Sequence, residues 1–385
     1  MRTTVQAELF NEQWDKEALI EYHRASQFDP FIGKGTSKPI IFKSLTAQTD
    51  NIPFVPELTG NFVNGDQRLK GNEKGMPSFH ETVTAEWLRT AVEFTKRTTS
   101  FTAFNVRGAA KDSVTNYGKN AMRVRIIDAL LSMRNSTSAA TNSLYGVMQD
   151  GTFGPEITTA TTNGAAITSI EGVTTTSADE TLKDGWLTNN ADRVLFGSAR
   201  ANNLSNDHSN SLATIDSTDD TPRKSNITLL KQMAKLASPR INPFRVGEQN
   251  VEWFLYLVGS RGFGQFQADP EIVQADMQAR ERGLSNPLFT GGELLCNGVI
   301  IKEVEEMPVI TGVGASSVDV GVGTLLGNQA IGYGSYQEMQ SIADVDDYGF
   351  AQGLGIELCD TFKKIFFNGK QHGVVTHYFA APAAG

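Results

Sequence analysis

The segment TAFNVRGAAKDSVTNYGKNAMRVRIIDALLSM, residues 102–133, carries the most regular pattern in the sequence. It contains no proline, and its apolar residues recur three or four positions apart, as on one face of an α-helix. A helix of about 30 residues, rising about 1.5 Å per residue, would be roughly 45 Å long. The pattern therefore predicts a spine helix whose core-facing residues are Phe104, Val114, Tyr117, Met122, Ile126 and Leu130.

The residues before this helix predict a projecting loop. Apolar and β-branched residues at 39–42 and 83–88 suit strands. Between them, GNFVNGDQRLKGNEKGMPSFHE (residues 60–81) is rich in glycine, asparagine and charge and poor in apolar residues. Such a segment can bury little of itself, and loops of this length inside a compact domain are usually functional. We therefore expect a long hairpin that extends away from its domain.

The N-terminal segment, residues 1–35, is polar and charged with scattered apolar side chains, which include Phe10, Trp14, Phe28 and Phe31. Two interpretations remain open: an arm that packs against another subunit, and an N-terminal helix that docks on its own domain. In either case these aromatic residues would anchor the segment, because aromatic side chains bury a large apolar area.

The remainder of the sequence alternates helix and strand patterns. Residues 135–190 are rich in Ser, Thr, Ala, Gly and Asn, which favours an insertion of short surface strands and loops, or alternatively a flexible linker. A polar loop at 202–223 precedes a helix capped by Ser225 or Asn226. The apolar run VEWFLYLV at 251–258 predicts a strand buried on both faces. Together the elements predict an α+β protein with at least two cores.

Composition and charge exclude several classes of function. Hydrophobic residues make up 39% of the 385 residues and charged residues 20%, as in folded soluble proteins. The formal net charge of -9 argues against sequence-independent DNA binding, which needs clustered Lys and Arg, although an acidic chain can enclose DNA without gripping it. Cys296 and Cys359 do not make a disulfide framework, and neither a signal peptide nor a membrane span is expected.

The residue combinations that catalysis needs do not occur in the sequence. The five histidines show neither the HExxH motif nor zinc-site spacing with a cysteine. No GxxxxGK[ST] phosphate-binding loop and no GxSxG nucleophile elbow is present. Two acidic groups could hold a hard cation, but exposed loops are the preferred interpretation; they are Asp216, Asp219 and Asp220, and Asp344, Asp346 and Asp347. We predict no catalytic residue, no cofactor and no metal site.

Four blocks of sequence, in one order along the chain, carry a family resemblance. In Leu58–Val92 the matching residues are Gly65-Asp66, Leu69, Gly71-Asn72-Glu73 and Ala91-Val92, whereas Lys74 replaces a usual glutamate. The later blocks are Pro239–Pro243, Asn286–Ile301, and Leu326–Ala330 with Asp347–Gly349, Gly355 and Lys363-Lys364. Together they resemble the major capsid proteins of phages of the N-four type, which adopt the Hong Kong 97 capsid fold.

This resemblance implies a fold and a division of the chain. The fold is α+β and Hong Kong 97-like, with an N-terminal arm, an extended β-hairpin loop, a long spine helix in a peripheral domain, and an axial domain. Residues 1–38 would be the arm, 39–92 the extended loop with its flanking strands, and 93–134 the spine helix. The rest divides into inserted strands and loops (135–224), the axial domain with adjoining peripheral strands (225–345), and C-terminal strands returning to either domain (346–385).

The resemblance also implies a function: a major capsid protein that self-assembles through pentamers and hexamers into the icosahedral head of a tailed phage. Assembly would take place in the host cytoplasm, and the shell of the virion would enclose double-stranded DNA without sequence-specific binding. Further expected partners are a scaffolding protein, a portal and a decoration or cement protein, and no membrane is involved. An encapsulin-like cellular compartment of the same fold and a secreted surface-layer protein remain alternatives.

Contacts between subunits are expected from two parts of the chain. The extended loop would contribute Gly65, Asp66, Arg68, Leu69, Lys70, Gly71, Asn72 and Glu73. The N-terminal arm would contribute Phe10, Trp14, Phe28 and Phe31. Within the spine helix, Gly108 and Gly118 are expected bending points when the shell expands.

Overall fold

The computed structural model describes residues 28–33, 38–54, 62–66, 68–73, 79–102, 105–133, 142–143, 169–170, 173–174, 177–204, 207–246, 251–278, 293–305, 307–367 and 369–383. The helices within these ranges are α1 (Lys96–Phe101), α2 (Val106–Leu131), α3 (Ser177–Asn189), α4 (His208–Ala213), α5 (Lys224–Leu236), α6 (Ser260–Ala268) and α7 (Pro270–Gln278). None of them is both long enough and apolar enough to cross a bilayer.

The strands of the first half of the chain are β1 (Ile32–Gly33), β2 (Ile40–Ser44), β3 (Thr49–Phe54), β4 (Phe79–Thr84), β5 (Glu86–Thr95), β6 (Ser132–Met133), β7 (Asn142–Ser143), β8 (Ser169–Ile170), β9 (Val173–Thr174) and β10 (Val194–Phe196). Those of the second half are β11 (Phe244–Val246), β12 (Val251–Val258), β13 (Glu293–Cys296), β14 (Val299–Glu303), β15 (Val309–Ile310), β16 (Val320–Leu326), β17 (Ile331–Asp346), β18 (Ala351–Lys364), β19 (Phe366–Phe367), β20 (Lys370–Gln371) and β21 (Val374–Ala380). The predicted α+β class is confirmed.

A five-stranded sheet has the strand order β1-β2-β17-β18-β5. Its centre is a long antiparallel hairpin, in which β17 has 16 residues and β18 has 14. The edge strand β5 pairs antiparallel with β18, and β2 pairs parallel with β17. One face of this sheet packs on α2, since Leu354 and Ile356 of β18 share a core with Val114 and Ile126.

An eight-stranded sheet follows the path β10-β21-β16-β12-β14-β13, with β11 beside β12 and β15 beside β16. The apolar run at 251–258 forms its central strand, β12, which is buried from Phe254 to Val258. Alternate residues of β12 enter two different cores: Leu255 joins the core that reaches the five-stranded sheet, whereas Phe254 joins a second core under α5. Alternate residues of a strand point to opposite faces, so this sheet is covered on both sides.

The spine helix α2 has 26 residues, Val106–Leu131, and is shorter than the patterned segment. The side chain of Asn105 accepts a hydrogen bond from the backbone N–H of Gly108 at 3.1 Å, so Gly108 lies in the first turn. A Cβ atom added at Gly118 would lie 3.0 Å from Cδ1 of Ile356 in β18. Glycine at this position therefore lets the helix approach the sheet closely.

The predicted boundaries differ from the structure around the spine and after it. Strand β5 continues to Thr95 and α1 follows, so the segment 93–134 does not begin as the spine helix. Within 135–224, which was expected to hold strands and loops, residues 177–189 form α3 and residues 208–213 form α4. Trp186 and Leu187 of α3 are fully buried, and this packing outweighs the polar composition of the tract.

Candidate functional site

The extended hairpin is held firmly at its root. Strands β3 and β4 pair antiparallel from Thr49 opposite Thr84 to Phe54 opposite Phe79. At the root, a small core anchors the hairpin on the five-stranded sheet; its members are Leu45, Ile52, Val83, Ala85 and Cys359. The side chain of Lys363 in β18 forms a 3.0 Å ion pair with the buried Glu81 and donates to the carbonyl oxygen of Thr82 at 2.9 Å. The root of the hairpin is therefore fixed by its own subunit.

The tip of the hairpin is ordered by local hydrogen bonds. The backbone N–H of Asn72 donates to the carbonyl oxygen of Leu69 at 2.9 Å, which closes a turn with Gly71 at its third position. Gly71 has φ +95°, as a type II turn requires at that position. The Asn72 amide donates to the carbonyl oxygen of Arg68 at 2.9 Å, and the Glu73 carboxylate accepts from the backbone N–H of Gly71 at 2.6 Å.

The side chains of this tip face solvent. All eight residues that were expected to contact another subunit, from Gly65 to Glu73 without Gln67, are exposed. Phe62 is 95% exposed and Leu69 67% exposed. Burying such a side chain stabilises a protein by about 1.5–3 kcal/mol, so the tip carries apolar surface that its own core does not use. The arrangement can supply apolar and charged contacts to another molecule.

The aromatic residues of the N-terminal segment require a correction. Phe28 is fully buried and Phe31 is 7% exposed, and both belong to the core of their own chain. The ring of Phe31 packs edge-on against Phe244 with centroids 6.1 Å apart. These two residues therefore cannot serve as contacts with a neighbouring subunit. Phe10 and Trp14 lie outside the described residues.

The spine helix buries most, but not all, of its expected core residues. Val114, Met122, Ile126 and Leu130 are at most 2% exposed. Tyr117 is 43% exposed, so its assignment to the core is wrong. The buried stripe passes through Gly118 instead, which lies against Ile356, and the next residue on a helix is rotated by about 100°. Phe104 lies outside the described residues.

A buried ion pair fixes the spine helix to the five-stranded sheet. The guanidinium group of Arg125 lies 2.5 Å from Oδ1 of Asp360 in β18 and donates to the carbonyl oxygen of Asp360 at 3.1 Å. Its Cζ atom lies 5.3 Å from the ring centroid of Phe362. Burial raises the pKa of Asp360 even though Arg125 lowers it. The carboxylate therefore depends on this arginine to remain charged.

A second buried network joins the end of α2 to the eight-stranded sheet. Lys364 is fully buried, and its ammonium group donates to the carbonyl oxygen of Leu130 at 2.8 Å and to Oε1 of Gln371 at 3.1 Å. Burial lowers the pKa of Lys364 to about 7. The guanidinium group of Arg193 donates to the carbonyl oxygens of Gln371, His372 and Pro239. No local sequence pattern predicts this network, because its partners are far apart in the chain.

The buried His377 and the acidic residues Asp216 and Asp220 form hydrogen bonds within their own subunit. His377 is fully buried; its Nε2 donates to the carbonyl oxygen of Gly197 at 3.1 Å, and its Nδ1 accepts from the Tyr256 hydroxyl at 2.9 Å. Asp220 accepts from the backbone N–H of Ser198 at 2.7 Å, and Asp216 accepts from backbone N–H groups of its own loop. In the part of the chain that the structure describes, no three His, Cys, Asp or Glu side chains are grouped to hold a metal ion.

Comparisons with known proteins point to one family. A family profile described as phage capsid protein matches residues 2–383. The chain is 24% identical to the major capsid protein of Pseudomonas phage KPP25 over 398 residues, which covers 97% of each chain. It is similar to the cyanophage Pam1 capsid (27% identity, all of both chains, TM-score 0.74) and to the capsid of Ralstonia phage GP4 (16% identity, 94% and 92% of the two chains, TM-score 0.68). The similarity thus extends over the whole chain.

Proposed function

The chain belongs to the phage capsid protein family, and we propose that it is the major capsid protein that builds the icosahedral head of a tailed phage. Its fold is that of Hong Kong 97-like capsid proteins, as the resemblance in the sequence implied. Family membership favours a place in the virion over a cellular compartment of the same fold. The narrower assignment to the phage N-four type stays a prediction.

The observation that carries the proposal is the hairpin that is fixed at its root and exposed at its tip. Glu81 and Lys363 hold its root on the sheet, while Phe62 and Leu69 are exposed. Each copy therefore offers the same contact surface to a neighbour. Contacts between two different surfaces, repeated by rotation, close into rings such as pentamers and hexamers. Many weak contacts per subunit then add up to a stable shell.

The remaining roles follow from this assignment. The chain has a structural rather than a catalytic role, and the shell encloses double-stranded DNA. A net charge of -9 suits an inner wall that does not bind the packed duplex tightly. A scaffolding protein would guide assembly, a portal would occupy one vertex, and a decoration or cement protein would bind outside.

The proposal is tested by removing the tip of the hairpin. Deletion of Asp66–Glu73 leaves the subunit folded, with an unchanged melting temperature, because the described residues of this range, 66 and 68–73, contribute no buried side chain. Closed shells, measured by sedimentation and negative-stain electron microscopy, are lost. Replacing the exposed Leu236 of α5 by Ser serves as a control for lost apolar surface outside the hairpin. Shells of normal yield from the deletion variant, or unfolding of its subunit, would contradict the proposal.

A further inference from the structure

Strand β5 forms one long edge of the five-stranded sheet. It pairs with β18 over all ten of its residues, from Glu86 to Thr95, without a shift of register. Among the described residues no strand pairs with its other edge. An edge of this length presents a row of backbone N–H and C=O groups that can pair with another strand. Folded proteins usually shorten, kink or cover such an edge.

The sequence of β5, EWLRTAVEFT, complements itself in one antiparallel register. When Ala91 lies opposite Ala91 of a second copy, Arg89 of each copy lies opposite Glu93 of the other. In the same register Leu88 lies opposite Phe94. Opposite charges and apolar pairs at directly facing positions stabilise antiparallel strands. The register thus places two ion pairs symmetrically about one small residue, whereas the Leu88–Phe94 pairs add little because Phe94 is buried in its own core.

The side chains of β5 are placed to make these contacts. The side chain of Arg89 is 72% exposed, and its ion pair with Glu357 of β18 is long, at 4.0 Å. Glu93 and Ala91 are exposed on the same face as Arg89, because alternate residues of a strand share a face. Phe94 lies on the other face and is 7% exposed, in the core under the sheet. A second β5 would extend both faces without disturbing the core.

We infer that β5 pairs with β5 of a second copy across a two-fold axis and so joins two five-stranded sheets into one. The inference deepens the proposed shell-building function and rests on it. A surface that pairs with itself closes at two copies, whereas rings of five or six subunits need two different surfaces. The β5 contact therefore lies between neighbouring capsomers, on the two-fold axes of the shell, and the partner is a second copy of this chain.

A disulfide at the axis tests this register. In A91C the two substituted residues would face each other with Cα atoms about 4.5–5.5 Å apart, within the range that a disulfide spans. The native Cys296 and Cys359 are buried and do not compete. Assembled A91C shells, mildly oxidised, give disulfide-linked dimers on a non-reducing gel. The control E86C gives none, because its two copies lie at opposite ends of the paired strands.

Charge exchange provides an independent readout if A91C assembles poorly. R89E places like charges opposite each other twice in every contact and lowers the yield of shells roughly tenfold or more, and R89E/E93R restores it. If A91C shells assemble but contain no disulfide-linked dimers, the inference is overturned. The same holds if another segment covers residue 91 and shields it from a thiol reagent. Normal shells from R89E, or no rescue by the double variant, overturn it as well. A native chain that forms no shells contradicts the proposed function itself, and the inference falls with it.

Discussion

Two buried histidines make the stability of the eight-stranded sheet depend on pH. Burial lowers the pKa of His377 to about 4 and that of His208 to about 3. In the unfolded chain both side chains titrate near 6.5, so below that pH the unfolded state binds protons that the folded state does not. The contribution of these histidines to stability is therefore constant well above pH 6.5 and decreases as the pH falls toward 4.

Substitution of His377 tests this dependence. The native subunit loses roughly 2 kcal/mol per buried histidine between pH 6.5 and 5, because each pKa unit corresponds to about 1.4 kcal/mol. Burial also lowers the pKa of His372 to about 4, so three histidines share this dependence. H377Q keeps a donor for Gly197 but cannot be protonated, so it loses about a third of the dependence while being less stable at pH 7. Urea unfolding at both pH values measures the difference. The exposed His80 supplies the control variant, H80Q. If the native protein, H377Q and H80Q all show the same pH dependence of stability, His377 is not responsible for it.

The ion pair between Arg125 and Asp360 predicts a large effect of a single change. R125M leaves the Asp360 carboxyl group, which is 2% exposed, without its cation. Removing one partner of a buried pair costs about 3–5 kcal/mol. R245M, which breaks the exposed pair with Glu252 at 3.9 Å, costs less than about 1 kcal/mol. Thermal unfolding measures the loss of stability in each variant. Equal losses in R125M and R245M would contradict a buried ion pair at Asp360.

At the scale of elements, the contact between α2 and β18 predicts a steric effect at Gly118. G118L introduces a side chain where a Cβ atom alone already lies 3.0 Å from Ile356 and 3.6 Å from Met339. Overpacking of this kind destabilises a protein by about 1–3 kcal/mol. G264L in α6 is the matched control, because a Cβ atom there meets nothing within 4 Å. Melting temperatures of both variants provide the measurement; a stable G118L would mean that helix and sheet separate easily.

Elements with a strong local pattern could be predicted from the sequence. The spine helix followed from apolar periodicity, strand β12 from a continuous apolar run, and the exposed hairpin from its lack of apolar residues. The full length of β17 could not be predicted, because its outer half contains many polar, exposed residues, such as Gln340 and Asp344, and lacks a continuous apolar pattern. The helix α3 was missed because two buried residues, Trp186 and Leu187, stabilise it within a polar tract.

Other features depend on partners distant in sequence. Helix α5 begins at Lys224, not after Ser225, and the carboxylate of Asp269 accepts from the Lys224 backbone N–H at 2.7 Å. Phe28 was expected at a subunit interface, yet tertiary packing places it in its own core. The positions of such side chains follow from the assembled sheets, which local patterns do not encode.

At the scale of the whole molecule, the two sheets are joined by buried polar groups and the hairpin extends from one of them. Lys364 and Arg193 connect the end of α2 to the turns around β20 and Pro239. Buried hydrogen-bonded networks restrict the arrangement of the elements they join. The two sheets and the spine helix are therefore held in one arrangement, on which the root of the hairpin is anchored.

A cryo-electron microscopy reconstruction of particles formed by the native chain tests the central claim most directly. The proposal predicts closed icosahedral shells in which the tip of each hairpin, with Phe62 and Leu69, lies buried on a neighbouring subunit. A chain that remains monomeric under all assembly conditions, or particles in which the hairpin folds back on its own subunit, would contradict it.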